Sequence, residues 1–347
     1  LNRLSTALAP IDGIDAGFPM TAAVRDGAVI AAAAALARGE VVAFPTETVY
    51  GLGADASNPA AVRRVFELKG RPADHPLIVH LAGAAQLADW AAEVPPLAGL
   101  LARRFWPGPL TLILPRAARV SAVVTGGQDT IALRVPSHPV AQALLAAFGG
   151  GVAAPSANRH GRVSATTAQH VRDEFGDALP VVLDGGATDL GLESTIVDCS
   201  SGEPVLLRPG GIGIAALTEA LGAPPAAPTT AAPRAPGTLA SHYAPHARLM
   251  LVDTGFVAEI ARFLVRDGQR VGVLSIAEPP PLLAGVHWIA APADAAGYAH
   301  ELYANLRALD AAGCAVIVAE RPPQSADWYA INDRLARAAA ERPPDST

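Results

Sequence analysis

The fold is decided by residues 41–81, VVAFPTETVYGLGADASNPAAVRRVFELKGRPADHPLIVHL. The apolar run Val41 to Phe44 reads as a short strand and is stopped by Pro45. A polar loop with two glycines follows, from Thr46 to Gly53. Asn58-Pro59 then marks a helix start, because Asn caps free amides and Pro tolerates the first helical position. Val62, Val65 and Phe66 form the buried stripe of this helix, and Lys69 is the next position on the same face. Gly70 ends the helix, Arg71-Pro72 leads away, and Pro76 to Leu81 reads as a second strand. Lys69 and Arg71 therefore stand where a helix stops, near a glycine-bearing loop. Lys69 is the only lysine in 347 residues; every other basic side chain of the 26 Lys and Arg is arginine. A compact point charge at that place suits phosphate or carboxylate recognition, although a solvated cation at a helix C-terminus would also satisfy the helix dipole.

Outward from this segment the pattern stays mixed. Residues 1–20 look irregular, and Thr21 to Arg38 reads as an alanine-rich helix stopped by Gly39. Helical patterns lie near 84–91, 96–105, 139–148 and 166–175; strand patterns lie at 110–114, 130–135, 152–154, 181–183, 195–197 and 205–207. Strands and helices do not alternate strictly, which predicts a twisted, open, mixed α/β sheet. Residues 222–248 change character: they hold six prolines and few bulky apolar side chains, the composition of a stiff, extended linker. Beyond them, strands at 249–252, 271–274 and 315–319 alternate with helices near 256–266, 297–312 and 326–340, a smaller α/β unit with a short parallel sheet. The expected division is 1–221, 222–248 and 249–347.

Composition narrows the function. A net charge of −6 argues against a general nucleic-acid coat. Cys199 and Cys314 have no metal-ligand spacing and are expected as buried free thiols. No run approaches the roughly 18 apolar residues of a membrane helix, and no signal peptide is evident, so a cytoplasmic protein is expected. No Walker A sequence, no GxGxxG after a first strand and no HExxH is present. Polar loops at strand ends stand in their place: Thr46 to Gly53, Lys69 to His75, Arg134 with Ser137, Ser156 with Asn158, Glu193 to Thr195, and Arg208 to Gly211. Such loops converge on one pocket in α/β sheets. The four cations Lys69, Arg71, Arg134 and Arg208 suggest a polyanionic ligand held by fixed hydrogen bonds. Taken singly, Ser156 and Asn158 suit a turn, Arg134 a surface strand end, His75 and His80 ordinary structural histidines, and Glu193 a turn cap.

Their joint order resembles a known family, the threonylcarbamoyl-AMP synthases of tRNA modification in the two-domain form. The matching pieces are PTETVYGLG at 45–53, KGRP at 69–72, HPLIVH at 75–80, FWPGPLT at 105–111, LRVP at 133–136, PSAN at 155–158, ESTIVD at 193–198 and RPGGI at 208–212. SHYAP at 241–245 and WYAINDRLARAA at 328–339 resemble the linker and C-terminal domain of the longer form. The resemblance implies a cationic cavity in the first domain and a Rossmann-like second domain. It implies that L-threonine, bicarbonate and ATP become threonylcarbamoyl-AMP and pyrophosphate, with magnesium accompanying ATP. The product would pass to a separate transferase acting on adenosine 37 of tRNA, with at most a weak tRNA contact here. By the same resemblance, Thr48, His80, Arg134, Ala154 and Ser194 fall on the threonine side. Arg71, His75, Thr130, Ser156, Ser164 and Arg208 fall on the ATP side, and Tyr243 reaches the nucleotide from the linker. Lys69 and Arg71 match the catalytic KxR pair, and Asn158, also on the ATP side, matches the SxN residue. No metal-binding residue is assigned. The rival reading is an RNA-binding factor using the same basic concave face without catalysis; the acidic total charge and the lone lysine oppose it.

Overall fold

The computed structural model describes residues 27–280 and 285–341. The irregular leader at 1–20 and the first turns of the helix read from Thr21 lie outside them. The first described helix, α1 (Gly27–Ala37), precedes β1 (Val42–Phe44) and β2 (Gly51–Asp55). Next come α2 (Pro59–Lys69), β3 (Ile78–His80), the short α3 (Leu87–Trp90), α4 (Pro96–Phe105) and β4 (Leu110–Pro115). The short α5 (Ala122–Thr125), β5 (Thr130–Arg134), α6 (Pro139–Phe148), β6 (Val152–Ala153) and α7 (Ala168–Phe175) follow. The first unit closes with β7 (Thr195–Asp198), β8 (Val205–Arg208) and α8 (Ile214–Leu221). Its eight strands form one mixed sheet in the order β1-β2-β6-β3-β5-β4-β7-β8, with β3 parallel to β5, β4 parallel to β7, and the other neighbours antiparallel.

Helix α2 forms for the reasons legible in its ends. The Asn58 side chain accepts from the amides of Ala60 and Ala61, and Pro59 sits at the first position. Gly70 takes a left-handed φ of 62°, and the Arg71 amide reaches back to the Phe66 carbonyl, the hydrogen bond of a Schellman stop. Val62, Val65, Phe66 and Lys69 are all buried along one face. Val62 and Phe66 belong to one apolar cluster with Leu77, just before β3, and with Val79, Leu112 and Leu133 of the sheet, and the same cluster extends to Leu101 of α4 and Leu217 of α8. Helices α1 and α6 cover Phe44 and Val152.

Several elements depart from expectation. The loop expected through Gly53 becomes strand β2 at Gly51, because a Cβ on Gly53 would stand 2.7 Å from both the Phe44 ring and Val152. These glycines let two strands and an aromatic ring approach, and are not hinges of an open loop. The strand expected at 181–183 shrinks to a single bridge, Ala43 with Val182. The helix expected at 84–91 is a 3₁₀ turn followed by α3.

The second unit holds β9 (Arg248–Val252), α9 (Val257–Arg266), β10 (Val271–Ser275), β11 (Val286–Ala290), α10 (Ala295–Ala311), β12 (Val316–Glu320) and α11 (Tyr329–Ala339). All four strands are parallel, in the order β11-β10-β12-β9. Side chains alternate across it: Val271, Val273, Val316 and Val318 face α9, while Leu274 and Ile317 face α10 and α11. Strand β11 escaped the sequence reading because VHWIA is a half-exposed edge strand without a clean apolar run. The apolar core beneath α10 and α11 continues into the first unit, taking in Val49, Val163 and Leu192, and into the connecting segment through Tyr243.

Candidate functional site

The cavity forms where strands of the first sheet end. The parallel register pairs His80, last in β3, with Arg134, last in β5, so both side chains reach the same wall. Ile78 of β3 carries the chain beside Ala154, whose amide donates to the Ile78 carbonyl at 2.9 Å. The PTETV loop adds Thr48, fixed by the hydroxyl contact between Thr46 and Thr48 at 2.8 Å and by the Thr46 hydroxyl donating to the Val49 carbonyl at 2.7 Å. From the far side come Ser194 at the mouth of β7 and Arg208 at the end of β8. The chain segment after α8 crosses the opening and contributes Pro236, Gly237, His242 and Tyr243.

Three arginines line this cavity, all of them buried: Arg71, Arg134 and Arg208. Arg134 pairs with the buried Glu47 at 2.7 Å, and the other Glu47 oxygen accepts from the Ser137 amide at 3.0 Å. Arg208 donates to the Ser194 carbonyl at 2.9 Å and hydroxyl at 3.0 Å, and to the Pro236 carbonyl at 2.9 Å, so it ties the crossing segment to the sheet. Arg71 donates to the Pro76 carbonyl, while its Nε is buried without a hydrogen-bond partner among the described residues. Burial, opposed by Tyr243 and reinforced by Arg208, pulls the Arg71 guanidinium down to about 10. It still carries its proton at neutral pH. His80 is the opposite case: burial and then the Arg134 charge push its imidazole down to about 3, so it is neutral. A neutral imidazole among arginines offers a lone pair without adding charge.

The remaining expected site residues are distributed differently. Thr48, His80, Arg134, Ala154, Ser194, Arg71, Ser156, Arg208 and Tyr243 meet in this one cavity. Lys69 does not face it. Its ammonium, buried at 2% exposure, donates to the Ser156 carbonyl at 2.6 Å and to the Asn158 carbonyl. The expected point charge for a ligand is thus turned onto the main chain of the PSAN loop, which it braces. The Asn158 side chain likewise turns away, donating to the carbonyls of Arg159 and Arg162. Ser164 lies one layer behind, its hydroxyl donating to Glu193 at 2.7 Å. His75 stands outside the wall, its ring 5.5 Å from that of His160. Thr130 opens β5 at the end opposite Arg134 and lines a separate depression with Asp198 and Thr229. Over four strand residues that separation is about 13 Å.

Four residues in or behind the cavity wall carry no role in the sequence reading: His242 lines it, Glu47 pairs with Arg134, and Tyr303 and Arg334 donate to the lining residue Glu193 from behind. Glu47 lies inside the PTETV stretch, where a carboxylate between threonines at a strand end was the available signal. Arg334 falls in the buried stripe of α11 with Ile331, Leu335 and Ala338, and a charge in an apolar stripe marks a buried partner. Among the described residues no group of three or more His, Cys, Asp or Glu side chains is placed to hold a metal ion, and no helix is long and apolar enough to cross a membrane. Cys199 and Cys314 are free and buried, as their spacing predicts.

Fold and site together define an α/β protein of two sheets with a cavity lined by buried arginines and crossed at its opening by the segment after α8. The family described as "Telomere recombination" matches residues 34–210, and the "Threonylcarbamoyl-AMP synthase, C-terminal domain" family matches 212–340. The chain is 39% identical over 330 residues to a threonylcarbamoyl-AMP synthase of Pyrococcus abyssi, covering 90% of this chain and 94% of that one. It is 41% identical over 329 residues to the Bacillus subtilis threonylcarbamoyl-AMP synthase, covering 92% and 94%. The crystal structure of P. abyssi Sua5 complexed with L-threonine superposes with a TM-score of 0.84 at 39% identity, over 90% of this chain and 94% of that one. This chain belongs to the threonylcarbamoyl-AMP synthase family.

Proposed function

We infer that this protein is an enzyme that converts L-threonine, bicarbonate and ATP into threonylcarbamoyl-AMP, pyrophosphate and water. The observation that carries the reading is the convergence of Arg71, Arg134 and Arg208 on one enclosed cavity that also holds neutral polar groups. The threonine amine condenses with bicarbonate to a carbamate, releasing water. A carbamate oxygen then forms a bond to the α-phosphorus of ATP as the bond to pyrophosphate breaks. This is nucleotidyl transfer, and it needs no protein nucleophile. Positioning and fixed charge supply the catalysis.

In this assignment Arg134, braced by Glu47, takes the threonine carboxylate beside Thr48, neutral His80, Ala154 and Ser194. Arg71, Ser156, Arg208 and Tyr243 face the phosphates. His75 and Thr130 belong farther along ATP, and Ser164 and Asn158 act by shaping the wall. Lys69 acts through the PSAN loop, whose carbonyls it gathers. Both carboxylates near the cavity are already paired with arginine, Glu47 with Arg134 and Glu193 with Arg334. Magnesium therefore enters on the triphosphate, held by phosphate oxygens and water. Residues 1–221 form the catalytic domain, 222–248 the linker and 249–347 the C-terminal domain. The product serves a separate transferase that modifies adenosine 37 of tRNA, in the cytoplasm.

The rival role, RNA binding without catalysis, suits the cavity poorly. Arg71, Arg134 and Arg208 are each 8% exposed or less, out of reach of a nucleic-acid backbone that needs many surface cations. The test is to omit threonine, bicarbonate and ATP in turn and detect the adenylate by mass. Product should form only with all three. ATP turnover indifferent to threonine, or RNA binding without turnover, would overturn the reading.

A further inference from the structure

Glu193 lines the cavity next to Ser194, yet two of its three side-chain partners come from the second domain. One carboxylate oxygen accepts from the Ser164 hydroxyl at 2.7 Å. The other accepts from the Tyr303 hydroxyl of α10 at 2.9 Å and from Arg334 Nε of α11 at 2.8 Å. The Arg334 side chain is fully buried, and its remaining nitrogens are also engaged, by the Pro209 carbonyl at 2.9 Å and Asp333 at 2.5 Å. The Arg334 and Arg208 charges hold Glu193 below the usual carboxylate range against the opposing effect of burial, so the pair is ionic.

The same two side chains grip the crossing segment. The Tyr303 ring stacks on Tyr243 at 5.8 Å and 23°, and the Arg334 guanidinium lies 5.0 Å over the Tyr243 ring. Tyr243 adopts φ 61°, a left-handed conformation that a bulky side chain rarely takes and that persists only where its surroundings impose it. Its hydroxyl is buried at the cavity with no hydrogen-bond partner among the described residues. The neighbouring main chain is tied to α11 as well, through the His242 amide on the Arg337 carbonyl at 3.2 Å.

We propose that Tyr303 and Arg334 are positioning residues of the active site. Through Glu193 they fix the wall that carries Ser194, and through the Tyr243 ring they aim its hydroxyl inward. The C-terminal domain is then the back wall of the site. Any kinetic consequence rests on the proposed synthase reaction; the grip on the crossing segment does not.

The test uses the full chain and three variants, Tyr303→Phe, Arg334→Lys and Arg334→Met. Each is measured for kcat and KM in adenylate formation, for thermal melting, and for amide deuterium exchange of residues 236–245. Tyr303→Phe keeps the ring and deletes one donor to a charged acceptor, a loss on the order of tenfold. It should raise KM for ATP or threonine about that much with little change in melting, and speed exchange in the crossing segment. Arg334→Met should exceed it, with Arg334→Lys recovering part of the loss. Lowered melting with unchanged KM and unchanged exchange in every folded variant means a purely structural interface and overturns the proposal. Should the wild-type chain make no adenylate, the synthase reading fails by itself. The exchange comparison still decides the grip: faster exchange in the variants supports it, and unchanged exchange sinks it.

Discussion

The two sheets of this molecule differ in regularity, and the difference follows chemistry. The C-terminal sheet is four parallel strands of five residues each, in unbroken register. The first sheet mixes directions, has strands as short as the two residues of β6, and shifts register between Ile196 and Val197 in β7, three residues beyond Glu193. Buried charge follows the same division. Glu47, Lys69, Arg71, Arg134, Glu193, Asp198 and Arg208 are buried in the first domain, whereas in the second domain the buried charges among the described residues are Glu320 and Arg334. Glu320 is satisfied within its own domain, by Thr254, Ser275 and the Ile276 amide. Arg334 serves the other one. An irregular sheet ends its strands at different heights and can surround a ligand with loops; the regular sheet provides a stiff support behind it.

This contrast is broken most sharply at Arg134. Arg134→Met leaves Glu47 buried and unpaired, and removing one partner of a buried ion pair costs about 3–5 kcal/mol. Urea denaturation should register a loss of that size together with loss of activity. A variant as stable as the wild type would mean that the pair is not what organises this wall.

Next in size is the separation of Arg71 from Lys69, side chains two residues apart with different partners. Arg71→Ala should lower adenylate formation roughly 100-fold at unchanged fold, the scale of one transition-state charge partner. Lys69→Met should act instead by loosening the PSAN loop, detected as faster deuterium exchange at 155–158 along with any loss of rate. Faster exchange after Arg71→Ala and none after Lys69→Met would reverse the two assignments.

These residues also show how far the sequence could be read. The α2 segment was legible to its caps, since Asn58, Pro59 and Gly70 act locally and the apolar stripe has helical spacing. The convergence of Arg71, Arg134, Ser194 and Arg208 was legible only through the order of the motifs, because strand register across the sheet is a property of pairing and not of any single stretch. The direction of the Lys69 side chain was not legible at all. A helix-end lysine has the same local sequence whether it meets a ligand or two carbonyls, and the PSAN loop that decides the matter lies 87 and 89 residues away. The stripe of α11 marks Arg334 as buried and partnered, but the identity of the partner had no local signal, since Glu193 lies 141 residues back.

A smaller effect separates the two domains by pH. Burial holds six imidazoles below their usual value, those of His75, His80, His138, His160, His170 and His242, all in the first domain or the crossing segment. A depressed imidazole stays neutral when folded and takes a proton when unfolded, so stability is lost as pH falls below about 6.5. For His80, held down to about 3, the loss continues to about that pH. Between pH 6.5 and 5 it amounts to roughly 1.5 kcal/mol for this residue alone. Denaturation of His80→Gln should show a correspondingly shallower acid slope; an unchanged slope would mean that the folded protein protonates His80 without cost.

The claim joining the two domains into one site is tested most directly by a double-mutant cycle on Glu193 and Arg334, read as kcat/KM for threonylcarbamoyl-AMP formation. Arg334→Met strands a buried carboxylate, and adding Glu193→Gln removes that charge. The double variant should therefore be more active than Arg334→Met alone, with a coupling of about 1–3 kcal/mol between the two sites. Effects that simply add would mean that the C-terminal arginine and the cavity carboxylate act independently, and that the site belongs to the first domain alone.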